Sequence, residues 1–155
     1  SNNLGCAIKQ PRLCNEAFLP KNIRHFIKNN PKVWNAWFML GWALRKVERF
    51  TDAKNAFEES LKCPEGDKNA ETYNELALCL LQEKDFDGAE KNMMKSFELD
   101  PENTKVISNL GYLALARGDE EMARRYFTSV LEYSPNDPIA AAELAKLESK
   151  EYMFL

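Results

Sequence analysis

The stretch WNAWFMLGWALRKVERFTDAKNAFEESLKCP, residues 34–64, decides the fold. Its apolar residues fall at three- and four-residue steps, first through Trp37, Leu40, Gly41 and Leu44, then through Ala53, Phe57 and Leu61. That is the period of an α-helix with one buried face, whereas a half-buried strand alternates at every second residue. The turn Glu48-Arg49-Phe50 separates the two runs and Pro64 closes the second. Two amphipathic helices joined as a hairpin follow from this spacing.

The same hairpin recurs outward along the chain. A Leu followed by a small residue stands at Leu40-Gly41, Leu76-Ala77, Leu110-Gly111 and Leu144-Ala145, at spacings of 36, 34 and 34 residues. Ala53, Ala89 and Ala123 keep step, and four residues after each comes Phe57, Met93 or Phe127. The units end near Pro64, Pro101 and Pro135, and their interior turns continue as Lys84-Asp85-Phe86 and Arg117-Gly118-Asp119. A period of this length marks a stacked repeat array. Gly41, Ala77 and Gly111 leave room for the second helix to approach, Ala53, Ala89 and Ala123 face them, and the large residues fill the space beside. Nothing in the chain reads as a strand, so the predicted fold class is all-α.

One family has a pattern of Trp, Leu-Gly, Tyr, Ala, Phe, Ala and Pro. The first full unit matches it with Trp37, Leu40-Gly41, Leu44, Ala53, Phe57, Ser60 and Pro64. The second has Tyr73, Leu76-Ala77, Leu80, Ala89, Met93, Ser96 and Pro101, and the third Ile107, Leu110-Gly111, Ala114, Ala123, Phe127, Val130 and Pro135. On these residues the chain resembles the tetratricopeptide repeat (TPR) family. It departs at the Tyr position, occupied by Leu44, Leu80 and Ala114, and by a two-residue insertion around Gly66. The resemblance implies a right-handed α-solenoid of helix-turn-helix repeats, with repeats over 34–69, 70–103 and 104–137.

The flanks read as an incomplete array. Leu4-Gly5 and Ala17 each lie 36 residues before their counterparts Leu40-Gly41 and Ala53, so residues 1–33 read as a degenerate partial repeat entered inside its first helix. Pro11 and Pro20 disturb it. Ile23, Phe26 and Ile27 form the apolar stripe of its second helix, with Pro20 suited to the first turn. Residues 138–150 make one helix with Glu143, Lys146, Glu148 and Lys150 outward, a polar cap of the kind a repeat array requires. Residues 151–155 form an apolar tail.

Composition removes several function classes. A net charge of -3 and a pI near 5.4 supply no excess of Lys and Arg to displace counterions from phosphates, so no nucleic-acid partner is expected. No run approaches the ~18 apolar residues of a membrane span, and the start, Ser1-Asn2-Asn3-Leu4-Gly5, lacks the regions of a secretory signal. The expected location is cytoplasmic. Ser1 and Asn2 read as a cloning remnant, which leaves an upstream targeting signal open. Cys6, Cys14, Cys63 and Cys79 show no C-x-x-C spacing and are expected as free thiols, Cys79 serving as a small apolar helix residue. With His25 the single histidine, the ligands for a closed zinc site are too few, and no metal or cofactor is expected.

The resemblance also assigns a binding face, because in this family the first helix of each hairpin lines a concave groove. Carried onto this chain, the groove residues are Asn35, Phe38, Met39 and Trp42, then Glu71, Asn74, Glu75 and Leu78, then Lys105, Ser108, Asn109 and Tyr112. An apolar path crossed by amides suits an extended peptide. Trp42, Tyr112, Asn74 and Asn109 are the expected ligand contacts. A plainer use stands beside it, in which Trp42 and Tyr112 pack against neighbouring helices and the asparagines are solvated. The carboxylate clamp that co-chaperones use for chaperone C-termini is not expected: only Lys105 fits it, and Glu71 and Glu75 would repel a carboxylate.

Nothing in the chain supplies catalysis. There is no phosphate loop, no H-E-x-x-H and no G-x-S-x-G, and Glu71 with Glu75 is a pair at a spacing common on solvated helices. The expected function is a scaffold that binds a peptide or partner protein. Two alternatives remain: an interaction segment of a larger, possibly enzymatic protein, and a module that self-associates through Tyr152-Met153-Phe154-Leu155 into a homo-oligomer.

Overall fold

The computed structural model describes residues 21–152, which contain eight α-helices and, among the described residues, no strand. They are α1 (Lys21–Asn29), α2 (Trp34–Lys46), α3 (Phe50–Lys62), α4 (Ala70–Gln82), α5 (Phe86–Leu99), α6 (Thr104–Ala116), α7 (Glu120–Tyr133) and α8 (Pro138–Tyr152), with a 3-10 turn over Gly66–Lys68. The Leu4-Gly5 and Ala17 matches, Cys6, Cys14 and the tail beyond Tyr152 lie outside the described residues. α8 runs two residues past the predicted end of the cap. No described helix is long and apolar enough to cross a membrane.

Each hairpin turn closes by the same backbone device. The amides of Arg49, Asp85 and Asp119 donate to the carbonyls of Leu44, Leu80 and Ala114 at 2.9, 3.0 and 2.9 Å. Those of Glu48, Lys84 and Gly118 donate to Arg45, Leu81 and Leu115 at 2.9, 3.0 and 3.0 Å. This paired pattern is a Schellman cap, which puts its central residue in the left-handed region. Glu48, Lys84 and Gly118 have φ of 61°, 61° and 79°. Side-chain caps start the following helices: Asp85 and Asp119 accept from Gly88 and Met122, while Asn69, Asn103 and Asp137 accept from Thr72, Lys105 and Ala140.

The chain divides into two compact units, residues 1–92 and 93–155. In the first, α2 and α3 pack as a hairpin, α4 packs against α3 and α2, and α1 against α2. Phe57 is fully buried with its ring over Gly41, where an added Cβ would stand 2.7 Å from the ring. The insertion is absorbed at Gly66, whose hydrogen faces the Ser60 carbonyl so closely that a Cβ would lie 1.9 Å from the oxygen. Ser60 donates to the Trp34 carbonyl at 2.8 Å, tying α3 to the start of α2. Lys54 and Thr51 of α3 both reach Glu83 after α4, at 2.6 and 3.0 Å.

In the second unit α6 and α7 form the hairpin and α8 packs on α7. Its core holds Ile107, Ala114, Ala123, Phe127, Val130, Ala140 and Leu147. Phe127 repeats the role of Phe57: a Cβ on Gly111 would sit 2.8 Å from its ring. Cys63 and Cys79 are free and buried, and desolvation pushes the Cys79 thiol up to about 12.

Candidate protein-binding surface

On α2, residues at four-, three- and four-residue steps share one face, and Asn35, Met39, Trp42 and Lys46 along it are all exposed. Met39 is 51% and Trp42 36% exposed, large values for residues of that size. Lys46 places its Nζ 5.2 Å from the Trp42 ring centroid, a cation–π contact that ends the stripe with positive charge. Phe38 leaves this face. Its half-buried ring lies 5.8 Å from Phe57 and 6.4 Å from Trp34, so it belongs to the hairpin core.

The α4 residues depart furthest from the expected groove. Glu71 and Leu78 are half-buried, but Asn74 and Glu75 are fully buried and cannot meet a ligand in this state. Arg45 of α2 donates its Nε to the Glu75 carboxylate, whose side chain is 1% exposed. A carboxylate at the register of the exposed Met39 turns inward here because the preceding first helix offers it a guanidinium, and a buried charge needs such a partner. Two expectations are thereby corrected. Glu75 does not repel an incoming carboxylate as a surface charge, and it does not form a solvated surface pair with Glu71. Asn74 takes the register of Phe38, the position that faces into the hairpin.

On α6 of the second unit, Lys105 and Tyr112 are exposed while Ser108 and Asn109 are half-buried. Tyr112 is 37% exposed but serves its own fold as well. Its ring meets Phe127 edge-on at 5.3 Å, and its hydroxyl donates to Glu143 of α8 at 3.4 Å. Burial first and the Glu143 carboxylate second hold the phenol above its usual pKa. Lys146 closes the chain with a 2.7 Å bond to Glu143. Unit by unit, the exposed expected residues are therefore Asn35, Met39 and Trp42 in the first and Lys105 and Tyr112 in the second.

The family profile described as "Cytochrome c-type biogenesis protein H TPR domain" matches residues 19–140. Human peptidyl-prolyl cis-trans isomerase FKBP4 is 36% identical over 75 residues, 48% of this chain and 16% of its own length. The type IV pilus assembly protein PilF of Pseudomonas aeruginosa is 31% identical over 103 residues, 64% of this chain and 41% of its own length. The chain thus spans less than half the length of either relative. A solved PilF structure superposes with TM-score 0.77 at 24% identity, covering 97% of this chain and 67% of that one. The first TPR of Spaghetti (RPAP3), solved with the HSP90 peptide SRMEEVD, gives TM-score 0.71 at 22% identity over 77% of this chain and 94% of that one. These structural likenesses carry the fold.

Proposed function

Since this chain belongs to the tetratricopeptide repeat family, in the branch of the cytochrome c-type biogenesis protein H TPR domain, it is a protein–protein interaction module, and we propose that it holds an extended peptide of a partner against α2. The observation that carries this reading is the exposed α2 stripe of Asn35, Met39, Trp42 and Lys46, an apolar centre between an amide and an ammonium. Large, ordered, half-exposed side chains are the anchors that dominate interface energies. In the second unit Lys105 and Tyr112 offer the same combination of charge and aromatic ring.

The partner segment supplies an apolar side chain to the Met39–Trp42 step and a negative or carbonyl group to Lys46. Positions that the chaperone clamp would fill with cations and amides read Asn35, Met39, Glu71, Glu75 and Asn109, with only Lys105 matching. The peptide SRMEEVD, seen on RPAP3, is therefore expected not to bind here.

Peptides selected on the folded chain from a random displayed library test the reading. Met39→Glu should weaken the selected peptides by about tenfold or more while leaving the melting temperature within a degree or so, because Met39 contributes anchoring rather than core. Undiminished binding by Met39→Glu and by Trp42→Ala would remove α2 from the interface.

A further inference from the structure

The basic residues of the first unit are not all answered from within it. Lys54 pairs with Glu83 at 2.6 Å, Lys62 with Glu59 at 2.7 Å and Lys68 with Glu65 at 2.8 Å. Residues 21–47 differ: they carry Lys21, Arg24, Lys28, Lys32, Arg45 and Lys46 with neither an aspartate nor a glutamate, in a chain whose net charge is -3. Arg45 is matched by the buried Glu75. Lys28, Lys32 and Lys46 are exposed, and among the described residues no carboxylate lies within ion-pair distance of any of them.

Two of these lysines bracket the apolar stripe of α2. Lys32, Asn35, Met39, Trp42 and Lys46 follow one another at three- and four-residue steps, and all five are exposed. Met39 stands in the middle, seven residues from each lysine. At about 1.5 Å of rise per helical residue, Lys46 lies ~10 Å along the axis from Met39, and Trp34, the first residue of α2, lies ~7–8 Å the other way with Lys32 just beyond it. An extended segment covers ~10 Å in about three residues.

Resting on the reading of α2 as a peptide-binding face, we infer that its occupant is an acidic segment of a partner protein. One apolar side chain sits on Met39 and Trp42, and a carboxylate about three residues to either side meets Lys46 at one end and Lys32 at the other. Lys28, one turn before Lys32 in sequence, adds to the positive field at that end. The paired charges fix the register of the segment and quicken its encounter with the face. Side-chain carboxylates suffice, so the segment need not be a chain terminus. A single nucleic-acid strand is also negative, but it binds by stacking bases on aromatic faces. Here the Lys46 Nζ stands 5.2 Å over the Trp42 ring, on a face that a base would need.

Three labelled, end-blocked peptides test the inference on the whole chain by fluorescence anisotropy. Each has leucine at its centre and glycine and serine elsewhere, with glutamate, glutamine or lysine at the third residue on both sides. At low salt the glutamate peptide should bind about tenfold more tightly than the glutamine peptide, roughly threefold for each exposed ion pair, and the lysine peptide should bind most weakly. Raising NaCl to about 0.5 M should erase the difference. Lys32→Glu and Lys46→Glu should each weaken the glutamate peptide, and the double variant should prefer the lysine peptide, with circular dichroism checking that each is folded. Equal affinity for the glutamate and glutamine peptides, both lost in Trp42→Ala, overturns the acidic segment and leaves the peptide-binding reading standing. A glutamate preference that persists in the double variant overturns it as well, and so does the absence of binding by all three peptides. Binding that Met39→Ala and Trp42→Ala leave unchanged removes α2 from the contact and with it both the reading and the inference. A short oligothymidylate held as tightly as the glutamate peptide overturns the inference in favour of nucleic acid.

Discussion

Arg45 and Glu75 make the costliest polar contact of the first unit, since the carboxylate is almost entirely out of water and the guanidinium only partly so. Removing the cation alone strands a buried negative charge, which costs far more than losing both partners together. Arg45→Met should destabilise the chain by about 3 kcal/mol, and adding Glu75→Leu should restore most of that, as read from urea midpoints. A single loss below ~1 kcal/mol would mean that the carboxylate is solvated in solution. Cys79 makes a second prediction at this scale. Its folded pKa, about 12, lies above the ordinary thiol value of 9.0 because burial penalises the thiolate. The raised value means that the folded state keeps its proton where the unfolded chain releases one. Stability from this group is complete below pH 9 and is lost as the pH climbs from there toward 12. The drop in urea midpoint between pH 7 and pH 10 should be smaller in Cys79→Ala than in the parent, and iodoacetamide should label Cys79 only after unfolding. Equal drops in the two proteins would place the alkaline loss elsewhere.

At the scale of the element, the three hairpin turns use one geometry with three different residues at its strained point. Gly118 meets the left-handed requirement without cost, whereas Glu48 and Lys84 carry a Cβ at the same φ. Glu48→Gly and Lys84→Gly should each raise stability by about 0.5–1 kcal/mol, and Gly118→Ala should lower it by about 1 kcal/mol. Thermal unfolding of the three variants decides, and a loss in both glycine variants would show that side-chain contacts outweigh the strain. The helix–helix contact has its own test at Gly41. Alanine there drives a methyl into the Phe57 ring and should cost about 1–3 kcal/mol, while the double variant Gly41→Ala, Phe57→Met recreates the pairing found at Ala77 and Met93 and should recover most of the loss. These elements were legible in the sequence because their determinants are local: the helical period, the recurring small residue and the large residue four after each alanine. The buried pair was not. Asn74 and Glu75 are polar residues at positions assigned to a groove, and only the Arg45 side chain one repeat earlier shows why a carboxylate there turns inward. Phe38 was misassigned for the opposite reason, since a large aromatic beside Leu40 serves the core as readily as a ligand, and its neighbours Trp34 and Phe57 decide which.

Across the whole molecule, a repeat array has no single centre, and its stability is a sum of hairpins and the contacts between neighbours. The division of this chain at residues 92 and 93 falls inside α5. Each unit has one phenylalanine fully buried over a glycine, Phe57 over Gly41 and Phe127 over Gly111. Truncating either ring leaves a cavity that should cost about 3–5 kcal/mol, a large fraction of an ordinary domain's stability. In a protein with one shared core, both substitutions would loosen every helix alike. In a chain of neighbour contacts they act locally: Phe57→Ala should speed amide exchange across α2 and α3 while α6 and α7 keep their protection, and Phe127→Ala should do the reverse. Hydrogen exchange read by mass spectrometry separates the cases, and a uniform rise in both variants would show a single cooperative unit in place of two. The outcome also bears on binding. If the units open independently, the α2 stripe can be held firm while the α6 face breathes, so Phe127→Ala should leave a peptide anchored at Met39 and Trp42 bound with nearly its parental affinity, whereas Phe57→Ala should release it.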